Sequence, residues 1–150
     1  MIHLILSLIA IAIVVAAMIM GAGSVPLKFR VNTEYEIKTL SGFAALSSGY
    51  HSYRITRQDI PDTGSWKDQI SEVVYIPDPP GNLIWDYGLT DGRAWFCLKG
   101  QVSRNAYEGL QEASKRLSSQ NTVFHADCGH TSPDAEPTSW PAQRALTYFP

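Results

Sequence analysis

The first 27 residues contain no Asp, Glu, Lys or Arg, and His3 is their only ionisable side chain. A soluble amphipathic helix carries a polar stripe on one side, and this segment has none to offer. Cysteine is scarce as well: Cys97 and Cys128 stand alone, and neither belongs to a C-x-x-C pair. That removes the commonest zinc templates. No glycine-rich phosphate loop and no G-x-S-x-G nucleophile elbow is present, which removes two familiar enzyme signatures. Positive charge is not in excess. A net charge of −2 lacks the electrostatic footprint of a nucleic-acid partner, so none is expected.

What is present divides at residue 27. Leu4 to Gly23 reads LILSLIAIAIVVAAMIMGAG, with Ser7 its one polar side chain. As a helix this run would reach about 30 Å, the thickness of a bilayer core. Residues 1–27 are therefore expected to form a transmembrane helix, with residues 28–150 as a globular domain. A cleaved signal peptide is the rival reading, since Gly21-Ala22-Gly23 offers small residues before Ser24. The apolar run is longer than a signal core, and no Lys or Arg precedes it. Lys28 and Arg30 follow the span. By the positive-inside rule they would hold the remainder in the cytoplasm. A removed basic leader would reconcile this with export.

Beyond Pro26, where a kink is expected, the helical rhythm continues to about residue 56. Phe43, Leu46, Tyr50 and Tyr53 fall at i, i+3, i+7 and i+10, and Ile37, Leu40 and Ala44 form a neighbouring row. Together they are expected to make one broad apolar face laid on a sheet. Trp66–Glu72 reads as a short helix and Val73–Ile76 as a short extended piece. Leu83–Leu89 and Arg93–Gly100 read as strands joined by an Asp91-Gly92 hairpin turn. Ser103 is a good N-cap for an amphipathic helix with Tyr107, Leu110, Ser114 and Leu117 on one side. Thr122–Gly129 reads as a strand ending at Cys128. From His130 onward the chain is rich in Pro, Ser and Thr, and reads as a loosely ordered tail or an edge strand. The fold class is α+β: a long N-terminal helix, its first half membrane-spanning, packed on a small antiparallel sheet with a second amphipathic helix.

The stretch FHADCGH, residues 124–130, holds the densest chemistry. His125, Asp127, Cys128 and His130 offer metal ligands, with Cys97 as a further one, and His125 or His130 beside Cys128 offers an activated thiol. The competing reading is a Cys97–Cys128 disulfide enclosing 30 residues. An even cysteine pair behind an exported-looking N-terminus favours it. No metal, cofactor or catalytic residue is then expected. Trp66, Tyr75, Trp85, Tyr87, Trp95 and Phe96 are either core or a carbohydrate-binding surface. Asp59, Asp62, Asp78, Asp86 and Asp91 sit in turn-like stretches, where Asp belongs for backbone reasons, with a calcium site as the alternative.

The layout resembles the type IV pilin superfamily, in particular minor pilins of the type IVb kind. The likeness rests on the apolar-then-amphipathic helix, LSSGYHSYRITRQDIP at its end, then WKDQI, YIPDPPGNLIWDYG, WFCLKG, YEGLQEASKRL and DCG. The resemblance implies a non-enzymatic filament subunit anchored in the inner membrane with a periplasmic domain before assembly. Its partners would be other pilin-like subunits, reached through the N-terminal helix, and a surface receptor. Residues 101–127 and 130–150 would face outward and carry adhesive specificity. The chain departs from the family in lacking a basic leader and in placing Ile5 where the family has Glu. That departure bears on incorporation into a filament shaft and suits a minor or tip position. Two readings unrelated to pili stand beside it. One is a membrane-tethered or secreted envelope binding module. The other is a small exported enzyme or metal-binding protein using His125, Cys128 and His130.

Overall fold

The structure, a computed structural model, describes residues 27–118 and 120–150. The apolar run Leu4–Gly23 and the kink expected at Pro26 lie outside the described residues. No helix among the described residues is long and apolar enough to cross a membrane. The chain divides into two compact units, Met1–Arg30 and Val31–Pro150. Of the first, Leu27–Arg30 are described, and they are helical. All packing reported below belongs to the second unit.

Helix α1 runs Leu27–Arg57. No proline interrupts these residues. Arg54 and Arg57 in the last turn complement the negative end of the helix dipole. The helix stops where Gln58 turns left-handed, at φ 56°, with Pro61 soon after. A short helix α2 spans Trp66–Ser71. Strand β1, Ile84–Thr90, and strand β2, Arg93–Val102, form a hairpin. Asp91 and Gly92 both hold positive φ, 52° and 74°, as a two-residue type I′ connection requires. Helix α3, Arg104–Leu117, is capped by the Ser103 hydroxyl, which accepts from the Ala106 N–H at 3.3 Å. Strands β3, Thr122–His125, and β4, Ala142–Tyr148, complete the fold. The sheet is antiparallel throughout, in the order β1-β2-β4-β3.

Four expectations need correction. The C-terminal stretch is neither tail nor edge: β4 is an interior strand, pairing with β2 through Phe96↔Tyr148 to Val102↔Ala142 and with β3 through Thr122↔Tyr148 to His125↔Ala145. Its apolar residues reach both faces of the sheet, and Ala145, Leu146 and Thr147 are buried. So the tail cannot be an outward-facing recognition segment along its whole length. The strand expected to end at Cys128 ends at His125, because the chain must turn there to bring Cys128 over the sheet. Val73–Ile76 is not extended from its start: Val73 and Val74 continue the turn that closes α2, and both their N–H groups donate to the Ile70 carbonyl at 3.0 Å. Finally, the apolar face of α1 is narrower than the two rows suggest. Phe43, Leu46, Tyr50 and Tyr53 are buried, but Ile37 and Ala44 are exposed and Leu40 is half-buried. The buried stripe is completed instead by Thr39, Gly42 and Gly49, small residues that let the helix lie close to the sheet.

The core lies between α1 and one face of the sheet. Phe43 meets Trp85 edge-on at 5.1 Å between ring centroids and Tyr148 at 5.4 Å. Tyr50 meets Phe96 at 6.0 Å, and Trp66 from α2 closes the end of the cluster against Tyr87 at 5.8 Å. Burial of these rings supplies most of the driving force, at roughly 25 cal/mol per Å² of apolar surface removed from water. Helix α3 docks near the start of the same stripe. Asn32 donates to Glu108 at 3.3 Å, and Arg116 pairs with Glu36 at 2.9 Å.

Candidate functional site

The face of the sheet turned away from α1 carries the sequence motif of greatest chemical promise. Alternation puts Cys97 on that face, beside Thr147 of β4. The turn after β3 carries Cys128 back over it, and the two form a disulfide with Cα atoms 5.8 Å apart. Cys97 is fully buried. Among the described residues there is no free cysteine.

Hydrogen bonds hold the stapled turn down from both sides. The Gly129 N–H donates to Thr147 Oγ1 at 3.1 Å, and the Gly129 carbonyl accepts from Thr90 Oγ1 at 3.0 Å. Thr90 Oγ1 in turn accepts from Trp95 Nε1 at 2.9 Å, and Thr147 Oγ1 reaches Cys97 Sγ at 3.7 Å. Cys128 and Gly129 are thus pinned to β1, β2 and β4 together.

Geometry answers the metal reading directly. The His125 and His130 rings stack, with centroids 3.5 Å apart and planes inclined by 17°. Imidazole lone pairs lie in the ring plane, so stacked rings aim them side by side instead of at one point. His125 Nδ1 already accepts from the Asp127 N–H at 3.2 Å. The Cys128 sulfur is committed to Cys97. Tetrahedral coordination requires several donors converging on one centre, and His125, Cys128 and His130 do not converge. Among the described residues no group of three or more His, Cys, Asp or Glu side chains is placed to hold a metal ion. The same disulfide takes away the thiol on which a cysteine-nucleophile reading depends.

The remaining sequence candidates are dispersed. Trp66, Trp85, Tyr87 and Phe96 are buried in the core, whereas Tyr75 is 77% exposed and far from them in role. They make no aromatic platform for a sugar. Asp62 accepts from the Gly64 N–H at 2.6 Å and Asp59 from the Ile60 N–H at 2.8 Å, as turn residues do. Asp86 pairs with Lys99 at 2.6 Å.

One cluster escaped the sequence reading. Arg144, on the core face of β4, is 5% exposed. Its guanidinium pairs with Asp134 and donates to the Ala135 carbonyl, and it lies 5.9 Å from the centre of the Tyr107 ring. Asp134 also accepts from the Ala126 N–H at 3.0 Å, while its own N–H donates to the Phe124 carbonyl at 3.1 Å. Tyr107 lies between Phe124, met edge-on at 5.2 Å between ring centroids, and Trp140, met at a tilt at 5.1 Å. Burial pushes the Tyr107 phenol above its ordinary range, with the Arg144 charge opposing. This network ties the Pro/Ser/Thr-rich connection between β3 and β4 to α3. The only prior hint was an arginine placed in phase with Leu146 and Tyr148 along a strand.

No protein-family model, curated protein or solved structure matches this chain.

Proposed function

We propose that this protein is a non-enzymatic subunit of a type IV pilus-like filament, held in the inner membrane by its first 27 residues before assembly and suited to a minor or tip position. The observation that carries the reading is helix α1. It follows directly on an uncharged apolar run and packs through Phe43, Leu46, Tyr50 and Tyr53 onto a four-stranded antiparallel sheet. A helix used in this way serves two neighbours: its buried stripe holds the globular domain, and the rest of its surface is available to other subunits. Ile37 at 58% exposure and Ile55 at 80% lie on that outer side.

The C-terminal half supports the same reading. The disulfide and the Arg144–Asp134 network lock the strands and turns into one rigid head, which suits a body that must bear load and present a surface. Chemistry is absent from the proposal because the one reactive sulfur pair is consumed in the staple.

The test is co-assembly. Full chain carrying an internal epitope is expressed in bacteria that possess a type IV pilus system, and surface filaments are sheared and purified. The chain is expected in the inner-membrane fraction and, at low stoichiometry, in the filaments. Recovery in soluble periplasm alone, or in membranes with none in filaments, would favour the tethered envelope module instead.

A further inference from the structure

Among the described residues the sheet ends in two outer strands, β1 on one side and β3 on the other. An outer strand turns alternate backbone N–H and C=O groups away from its neighbour, and those groups can template a further strand. In the β1–β2 hairpin Thr90 stands opposite Arg93, and across a two-residue turn these two exchange hydrogen bonds. Alternation then turns the backbone groups of Trp85, Tyr87 and Leu89 outward. On the other side the Phe149 N–H donates to the Asn121 carbonyl at 2.9 Å, so alternation turns Phe124 and Ala126 outward.

Both edges are closed in the same way. At β1, one Asp86 oxygen accepts from the outward Tyr87 N–H at 2.9 Å, and the other accepts from Lys99 Nζ at 2.6 Å. At β3, one Asp134 oxygen accepts from the outward Ala126 N–H at 3.0 Å, and the other accepts from Arg144. The Asp134 N–H also donates to the outward Phe124 carbonyl at 3.1 Å. In each case a carboxylate puts one oxygen on an edge N–H and the other on a basic side chain of the adjoining interior strand, Lys99 of β2 or Arg144 of β4. The cation holds the carboxylate in place. The carboxylate sets negative charge where an incoming strand would bring its carbonyl oxygens.

We propose that Asp86 and Asp134 close the two edges of the sheet to strand addition, and that β1 without Asp86 pairs antiparallel with β1 of a second copy. β1 is the edge that needs closing most. It is seven residues long against four for β3, and its Ile84 and Leu89 are 53% and 42% exposed. Pairing centred on Tyr87 sets that residue opposite its counterpart and Trp85 opposite Leu89, so all three outward residues find hydrogen-bond partners. Such pairing needs the Tyr87 N–H, which Asp86 occupies.

The experiment compares the full-length parent with Asp86→Ala in excess detergent micelles over a range of protein concentrations, by sedimentation velocity and amide hydrogen exchange. Asp86→Ala is expected to self-associate at least about tenfold more tightly than the parent. Its Trp85, Tyr87 and Leu89 amides should exchange about tenfold more slowly when associated than when dilute. Asp86→Asn keeps an acceptor for the Tyr87 N–H and should stay close to the parent. Adding Leu89→Lys to Asp86→Ala should abolish the gain, because lysine on an edge strand blocks pairing. The Asp86 and Lys99 side chains are 34% and 35% exposed, and protection of the Phe96 and Leu98 amides, which face β4, shows whether a variant is folded. Should alanine unfold the chain, Asp86→Val supplies a stronger strand former at the same place and is expected to associate likewise. A folded variant of either kind that associates no more tightly than the parent overturns the proposal. So does tighter association that leaves the three β1 amides unchanged, or Asp86→Asn associating as tightly as Asp86→Ala.

Discussion

Gly42 of α1 lies directly against the indole of Trp85 on β1: a Cβ at position 42 would fall 2.1 Å from Trp85 Cζ2. The indole cannot slide away easily. Its Nε1 donates to the Pro77 carbonyl at 2.8 Å, and its ring meets Phe43 edge-on. The distance between helix and sheet is therefore set at this contact.

Gly42→Ala should accordingly destabilise the protein even though alanine is the better helix former. The gain in helix propensity is about 1 kcal/mol. Overpacking a closed core site costs roughly 1–3 kcal/mol, and so short a contact belongs at the upper end. We expect a net loss of about 2 kcal/mol, read from the denaturation midpoint of the full chain in detergent. The exposed Ser48→Ala on the same helix should be neutral or slightly stabilising. Equal stability of Gly42→Ala and the parent would mean that Trp85 is free to move.

The Cys97–Cys128 bond closes a long loop. The Cys97→Ala, Cys128→Ala double variant should lose about 3–4 kcal/mol on the loop-entropy estimate. Intact mass without reductant should lie two hydrogens below the value with reductant. A full-mass protein carrying stoichiometric zinc would return His125, Cys128 and His130 to the position of a ligand set.

The Arg144–Asp134 pair is asymmetric, and its variants should be as well. The Arg144 side chain is 5% exposed and the Asp134 side chain 29%. Asp134→Ala strands a buried guanidinium and should cost about 3–5 kcal/mol, as removal of one partner from a buried pair does. Arg144→Met leaves a carboxylate that water can reach, and should cost clearly less. Urea denaturation of both variants decides the matter, and the reverse order would show that packing of the arginine stem dominates.

Tyr87 carries a buried hydroxyl without a hydrogen-bond partner. Burial pushes its phenol from 10.0 up to about 12. The folded protein thus retains a proton that the unfolded chain gives up near pH 10. Stability from this group is complete below pH 10 and is lost as pH rises toward 12. Tyr87→Phe should flatten that loss in a pH series of melting temperatures. At neutral pH it should be neutral or stabilising by about 1 kcal/mol, because an unsatisfied buried hydroxyl is removed. A marked destabilisation at neutral pH would reveal a partner for the hydroxyl.

Features governed by neighbours in sequence were legible. Ser103 announced α3 because an N-cap works on the N–H groups three residues on. Asp91-Gly92 announced the hairpin because both positions need positive φ. The spacing of Phe43, Leu46, Tyr50 and Tyr53 announced the buried stripe because helical periodicity is local. The pairing of Cys97 with Cys128 followed from there being two cysteines and an apolar N-terminal run. Readings that relied on hydrophobicity alone did less well. Ile37 and Ala44 looked like core, yet Gly42 and Gly49 took the buried positions, since close approach to Trp85, Ile70 and Val74 selects for lack of a side chain.

The sequence by itself determined the α+β class, the main helices, the β1–β2 hairpin and the cysteine pair, since each depends on periodicity, capping, turn chemistry or simple parity. Only the tertiary structure decided that residues 142–148 form the interior strand β4, that Arg144 is buried with Asp134, and that His125 and His130 stack instead of converging. Those outcomes depend on which distant segment lies alongside. Strand order, burial of a charge and the direction of a lone pair are properties of the packed chain, and no local pattern encodes them.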